Sequence, residues 1–125
     1  MTGVILDAGA LMALERGDPR LTALALVVVR DRIPTLVPAG VLAQVWRGSA
    51  RQHGVARLLA TGAVRVDALD ETTAKAVGVL LATSGTSDVV DGHVALLGRR
   101  THGTVYTSDA ADIHRIDPTV QTVAI

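Results

Sequence analysis

The sequence predicts an α/β domain in which a mostly parallel sheet of four to five strands is covered by helices on both faces. Two patterns carry that expectation. Short β-branched runs alternate with longer stretches of helical period, the order that builds parallel sheets from strand–helix–strand units. The 125 residues, 49% hydrophobic yet only 2% aromatic and without Phe, suit a single domain over residues 1–125 whose core is many small Val, Leu, Ala and Ile side chains. Disorder is excluded by the same apolar content.

Val4 to Leu6 is the first expected strand, and Ala8 to Glu15 is a helix ended by Gly17-Asp18-Pro19. Pro19 opens a second helix that contains the apolar stretch Leu21 to Val29. Thr35 to Val37 is a short strand between two prolines, and a helix follows from about Gly40 to Arg47. After Gly48 a further helix is expected to run to Thr61-Gly62, and Ala63 to Val66 is the third strand. Asp70 to Leu81 has a capped start and helical spacing, Thr83 to Ser87 is a small-polar loop, and a helix from about Asp88 to Arg100 ends in a basic pair. Thr104 to Tyr106, Asp109 to Arg115 and Val120 to Ile125 complete the chain as strand, short helix and edge strand.

Composition narrows the function. Twelve basic residues balance twelve acidic ones, so any polyanion must be held by local charge rather than by a cationic surface as a whole. Without Cys there is no disulfide, thiolate metal site or thiol nucleophile. The longest apolar stretch is too short to span a bilayer, and the N-terminal residues lack the pattern of a secretion signal. No membrane partner and a cytoplasmic location are therefore expected.

The aspartates fall where strands hand over to helices. Asp7 follows the first strand, Asp109 follows the fourth by a few residues with Asp112 one turn on, and Asp88 and Asp91 open the helix before it. In a parallel sheet these points share one rim, where ligands bind. Each Asp taken singly serves as a helix cap or first-turn residue. Together they argue for more: Asp88 with Asp91, and Asp109 with Asp112, are like charges at i, i+3, disfavoured by about 0.2–0.5 kcal/mol per pair unless a cation intervenes. Hard oxygen ligands without Cys favour Mg²⁺ or Mn²⁺, and His53, His93, His102 and His114 lack the spacing of a zinc site. Such an ion supports phosphodiester hydrolysis.

Four segments in order, Val4-Ile5-Leu6-Asp7 with Ala10-Leu11, Val41-Leu42-Ala43-Gln44-Val45-Trp46-Arg47-Gly48, Asp88-Val89-Val90-Asp91-Gly92-His93, and Val105-Tyr106-Thr107-Ser108-Asp109, resemble the motifs of PIN-domain proteins, and more narrowly of VapC-type toxins from bacterial toxin–antitoxin pairs. The resemblance spans nearly the whole chain. It implies a PIN-like α/β/α sandwich and a Mg²⁺- or Mn²⁺-dependent ribonuclease. Asp7, Asp91 and Asp109 match the family's acidic ligands, and Asp88 and Asp112 match acidic positions that hold outer-shell waters. Thr107, with Ser108 beside it, matches the hydroxyl turn that meets a phosphate or a metal-bound water. The second acidic position, usually Glu, is Gln44, which keeps an acceptor oxygen and loses a full charge. A catalytically weakened or inert fold that binds RNA or protein thus stays open as the alternative.

With those five aspartates set aside, the remainder carries twelve basic against seven acidic groups, and eleven of the basic residues are Arg, suited to bidentate phosphate contacts. Arg47 and Arg51, one turn apart near Gln44, are the expected contacts to an RNA substrate, whereas Trp46 is expected to pack rather than to stack on bases. Leu21 to Val29 is apolar on more than one helix face, which calls for deep burial or a partner. The resemblance adds a homodimer and a cognate VapB-type antitoxin whose extended C-terminal segment fills an apolar groove. Other acid-bearing folds fit poorly. A phosphoaspartyl receiver lacks its late lysine, the sole one being Lys75, Gly9 stands where a haloacid-dehalogenase-like phosphatase has Asp, and no phosphate-binding glycine motif is present.

Overall fold

Val4, Ile5 and Leu6 are all buried, so the first strand presents no wet face and must lie between two layers. In the computed structural model, which describes residues 3–50 and 52–125, that strand is the centre of a five-stranded sheet. The elements in chain order are β1 (Val4–Leu6), α1 (Ala8–Glu15), α2 (Pro19–Asp31), β2 (Thr35–Pro38), α3 (Ala39–Val45), α4 (Gly54–Ala60), β3 (Val64–Asp67), α5 (Glu71–Ser84), α6 (Val89–Thr101), β4 (Thr104–Thr107), α7 (Ala110–Ile116) and β5 (Gln121–Ala124). Strand order is β3-β2-β1-β4-β5, and every neighbouring pair is parallel. Val4 is in register with Thr35 on one side and Thr104 on the other, which brings the carboxyl ends of β1 and β4 together at Leu6 and Tyr106.

The helices form two layers. α1 packs on α2, α3 and α4, while α6 packs on α5 and α7 and lies against β1, β2 and β4. Residues Gly92 to Gly98 of α6 are buried without interruption, as a helix sandwiched between a sheet and other helices requires. Two of its glycines let neighbours approach: a Cβ on Gly92 would stand 2.9 Å from Leu81 and Val77 of α5, and one on Gly98 would stand 2.7 Å from Val120. Small side chains thus replace the missing aromatics by closeness. Among the described residues, no helix is long and apolar enough to cross a membrane.

Most expected elements are present, and the departures have local causes. The helix expected directly after Gly48 begins only at Gly54, because the Gln52 side chain accepts from the Arg47 and Gly48 N–H groups and donates to the Val45 carbonyl, turning the chain at the end of α3. Arg47 therefore lies beyond α3 rather than on it, and Arg51 lies outside the described residues. α5 runs through Ser84 instead of stopping at Leu81, and Gly85 ends it in the left-handed conformation (φ 71°). On α2, Leu21 and Val28 are buried while Leu26 stays 68% exposed, so the apolar excess of this helix is only partly absorbed by the core.

Candidate active site

Because all five strands are parallel, their carboxyl ends share one rim, and the acids of the sequence motifs collect there. Asp7 directly follows β1 and caps α1: one carboxylate oxygen accepts from the Ala8 N–H at 2.7 Å, and the other accepts from the Thr107 hydroxyl, also at 2.7 Å. The same hydroxyl accepts from the Asp109 N–H at 2.9 Å. Thr107 is thus a bridge that ties the acid after β1 to the turn after β4. It is fully buried, and the partners of its side chain are the Asp7 carboxylate and the Asp109 N–H. Ser108 is exposed beside it, with the Gly9 backbone so close that a Cβ there would collide with the Ser108 side chain.

The second acidic group comes from α6 and α7. Asp88 is the N-cap of α6, accepting from the Asp91 N–H at 2.9 Å, and Asp91 is half-buried in the first turn. Burial and then the negative charges of Asp88, Asp7, Asp112 and Asp109 push the Asp91 carboxyl up to about 6 from 3.8. Every acid selected from the sequence therefore acts on this one carboxyl. Asp88, Asp91 and Asp112 line a cleft of about 370 Å³, closed on its other sides by Gly85–Ser87, Arg115 and Ile116. Arg115, which the sequence reading passed over, is the cation of the cleft wall, 3.9 Å from Asp112 and one helical turn from it.

The remaining expected contacts sit at the margin. Gln44 is exposed on α3, one turn after Gly40, whose backbone abuts Val90 of α6 so closely that a Cβ would lie 3.1 Å from it. The i, i+4 spacing puts Gln44 on the α3 face that meets the acid-bearing turn. Arg47 is exposed and donates to the Trp46 and Ala43 carbonyls at 2.9 and 3.3 Å, closing the end of α3. Trp46, expected to pack, is 42% exposed beside it.

His93 packs inside the fold. It is 1% exposed, and its Nε2 lies 2.8 Å from Asp67 Oδ2 at the end of β3. Their separation of 26 residues hides the pair from any local motif.

The fit of a divalent cation rests on this donor set. Among the described residues, no three His, Asp or Glu side chains are grouped to hold a metal by themselves. Mg²⁺ ordinarily keeps several waters and takes only one or two protein carboxylates, so a shared rim of acids that repel one another suits it better than it would suit Zn²⁺.

On the other helical layer, Leu14, Ala25, Leu26, Val29 and Leu58 line an apolar groove of about 380 Å³ between α1, α2 and α4. Glu15 borders it and accepts from the His53, Gly54 and Val55 N–H groups, which fastens α4 to α1. Burial raises the Glu15 carboxyl, but those three hydrogen bonds outweigh it and hold the group below its ordinary value.

Comparison with known proteins yields a likeness of fold. No protein-family model matches the sequence, and no curated protein matches it. Among solved structures, FitAB bound to an IR36 DNA fragment superposes with a TM-score of 0.65 at 17% identity, over 97% of this chain and 94% of that one. The PIN-like α/β/α sandwich expected from the sequence is thus the observed architecture.

Proposed function

We propose that this chain is a Mg²⁺- or Mn²⁺-dependent endoribonuclease of the VapC type, the toxin of a toxin–antitoxin pair. The observation that carries the reading is the gathering of Asp7, Asp88, Asp109 and Asp112 around the half-buried Asp91, whose carboxyl is pushed up to about 6 by burial first and by those charges second, a crowding that a bound cation would relieve. Asp7, Asp91 and Asp109 would hold the ion, with Asp88 and Asp112 on its waters. When bound, the ion supplies polarisation of a phosphate oxygen and a nucleophilic water at neutral pH.

This chain's own residues do the positioning. Thr107 fixes the rotamer of the buried Asp7 and the Asp109 backbone, holding the acid after β1 and the turn after β4 in one arrangement at the rim. Asp88 holds the first turn of α6, and with it Asp91. Arg115 faces the same cleft and offers a phosphate a bidentate partner, in the role first expected of Arg47 and Arg51. Likeness to FitAB supports an antitoxin partner, for which the apolar groove beside α2, with the exposed Leu26 and Val29 on its wall, is the candidate surface; the homodimer is proposed from the sequence resemblance alone.

Gln44 favours one further reading, a weakened or inert module that binds RNA without cutting it. Calorimetry with Mn²⁺ and cleavage of a generic RNA decide between the two. The wild type is expected to bind Mn²⁺ and cut, Asp7→Asn and Asp91→Asn to do neither, and Gln44→Glu to bind at least about tenfold tighter, the effect of one added charge in a partly desolvated site. Cutting by Gln44→Glu alone identifies a weakened nuclease. Binding of RNA with no Mn²⁺ heat in either protein identifies the inert module.

A further inference from the structure

We propose that the Asp67–His93 hydrogen bond is a positioning brace that sets the rotation of α6 about its own axis, and so the place of the Asp91 carboxylate on the rim. The proposal rests on the nuclease reading for its purpose and on geometry for its substance. Four successive residues of α6 point in four directions, about 100° apart. Val90 meets Gly40 of α3, Gly92 meets Val77 and Leu81 of α5, and His93 reaches Asp67 at the end of β3. Asp91 is the one left towards the cleft, about 200° round the helix from His93.

Two of these three supports are apolar contacts, which resist separation but permit a helix to roll. Only the Nε2–Oδ2 contact, at 2.8 Å, is directional. A roll of about 20° would carry a side-chain tip ~5–6 Å from the axis through about 2 Å. Catalytic groups tolerate displacements of roughly 0.5 Å. A polar pair with one buried and one partly exposed partner adds little to stability over an apolar pair of the same shape, so its presence under the acid-bearing turn is better explained by orientation. Asp67 is suited to the task because it ends a strand whose register with β2 pairs it with Pro38, directly before α3.

The full-length chain tests this with Asp67→Ala and His93→Leu, which remove the bond, against Asp67→Asn and His93→Gln, which retain an acceptor or a donor. Three measurements apply: kcat and KM for RNA in Mn²⁺, Mn²⁺ affinity without RNA, and hydrogen exchange of the Asp91 and Gly92 amides relative to Ala95. In the two disrupting variants, kcat is expected to fall at least tenfold with KM within twofold of wild type. Mn²⁺ should bind at least fivefold more weakly, and the two amides should exchange at least tenfold faster. The conservative variants are expected to recover most of each effect.

A folded Asp67→Ala protein with unchanged kcat, metal affinity and exchange overturns the brace, as does equal loss in Asp67→Ala and Asp67→Asn. Should His93→Leu fail to fold, the half-exposed Asp67 pair of variants decides. If the wild type itself neither binds Mn²⁺ nor cuts RNA, the nuclease reading fails, and the exchange rates alone then confirm or overturn the brace.

Discussion

Replacing Asp91 by Asn is expected to make the metal-free protein more stable while removing its Mn²⁺ binding. The folded chain holds this carboxyl at about 6, against 3.8 when unperturbed, because burial and four neighbouring acids disfavour its charge. That difference corresponds to at most ~3 kcal/mol. With the group half-buried and screened by solvent, roughly 1–2 kcal/mol is the expected gain at pH 7.5, or about 3–6 °C in Tm. Below about pH 4 the carboxyl is protonated in folded and unfolded chains alike. Between pH 4 and 6 the folded chain keeps a proton that the unfolded chain has released, so this group's contribution to stability declines as pH rises and levels off above 6. Asp18, Asp31, Asp70 and Asp117 are all held below their ordinary value and titrate beneath that window, while Glu15, also held low, adds stability as pH rises through about 4.5, so the Asp91 slope is read between pH 5 and 6. Urea denaturation in EDTA across pH 4–8 reads the effect: a declining wild-type curve and a flatter Asp91→Asn curve. A variant that is less stable at pH 7.5, or that keeps the wild-type slope, would refute the crowding of charge on which the site is built.

Thr107→Val should cost about 2 kcal/mol by denaturation, since it leaves a buried Asp7 oxygen and the Asp109 N–H without a partner, and Thr107→Ser should restore most of it. Mn²⁺ affinity, followed by calorimetry, is expected to fall and recover in parallel. Glu15→Ala strips the acceptor from three N–H groups at the start of α4 and should cost about 1–2 kcal/mol. Because the Glu15 carboxyl is held low, that contribution is present above about pH 4.5 and fades on acidification, so wild type and variant should converge in stability at low pH.

The layered fold was legible because hydrophobic period and caps agree along most of the chain. β1 and α1 lie at the expected residues, with Asp7 serving both as the cap and as the first acid. The start of α4 was not legible, since it depends on one amide, Gln52, bonding across the end of α3, a contact that no propensity encodes. The orientation of Thr107 was available in principle. Alternation along β4 buries Val105 and Thr107 on one face and leaves Tyr106 partly buried on the other, so a hydroxyl two residues after a core valine should share its buried face. His93 and Asp67 stayed hidden for another reason: the crossover from β3 through α5 brings them together, and only the folded topology shows it.

The hydrogen bond between Thr107 and Asp7 joins residues 100 positions apart. Closing a loop of that length costs about 4 kcal/mol in chain entropy and places this contact late among folding events. A polypeptide emerging from the ribosome exposes Asp7 long before β4 exists to seat it. Throughout synthesis, then, the growing chain lacks an assembled acidic rim, and whatever chemistry the rim performs can begin only after translation has passed the fourth strand.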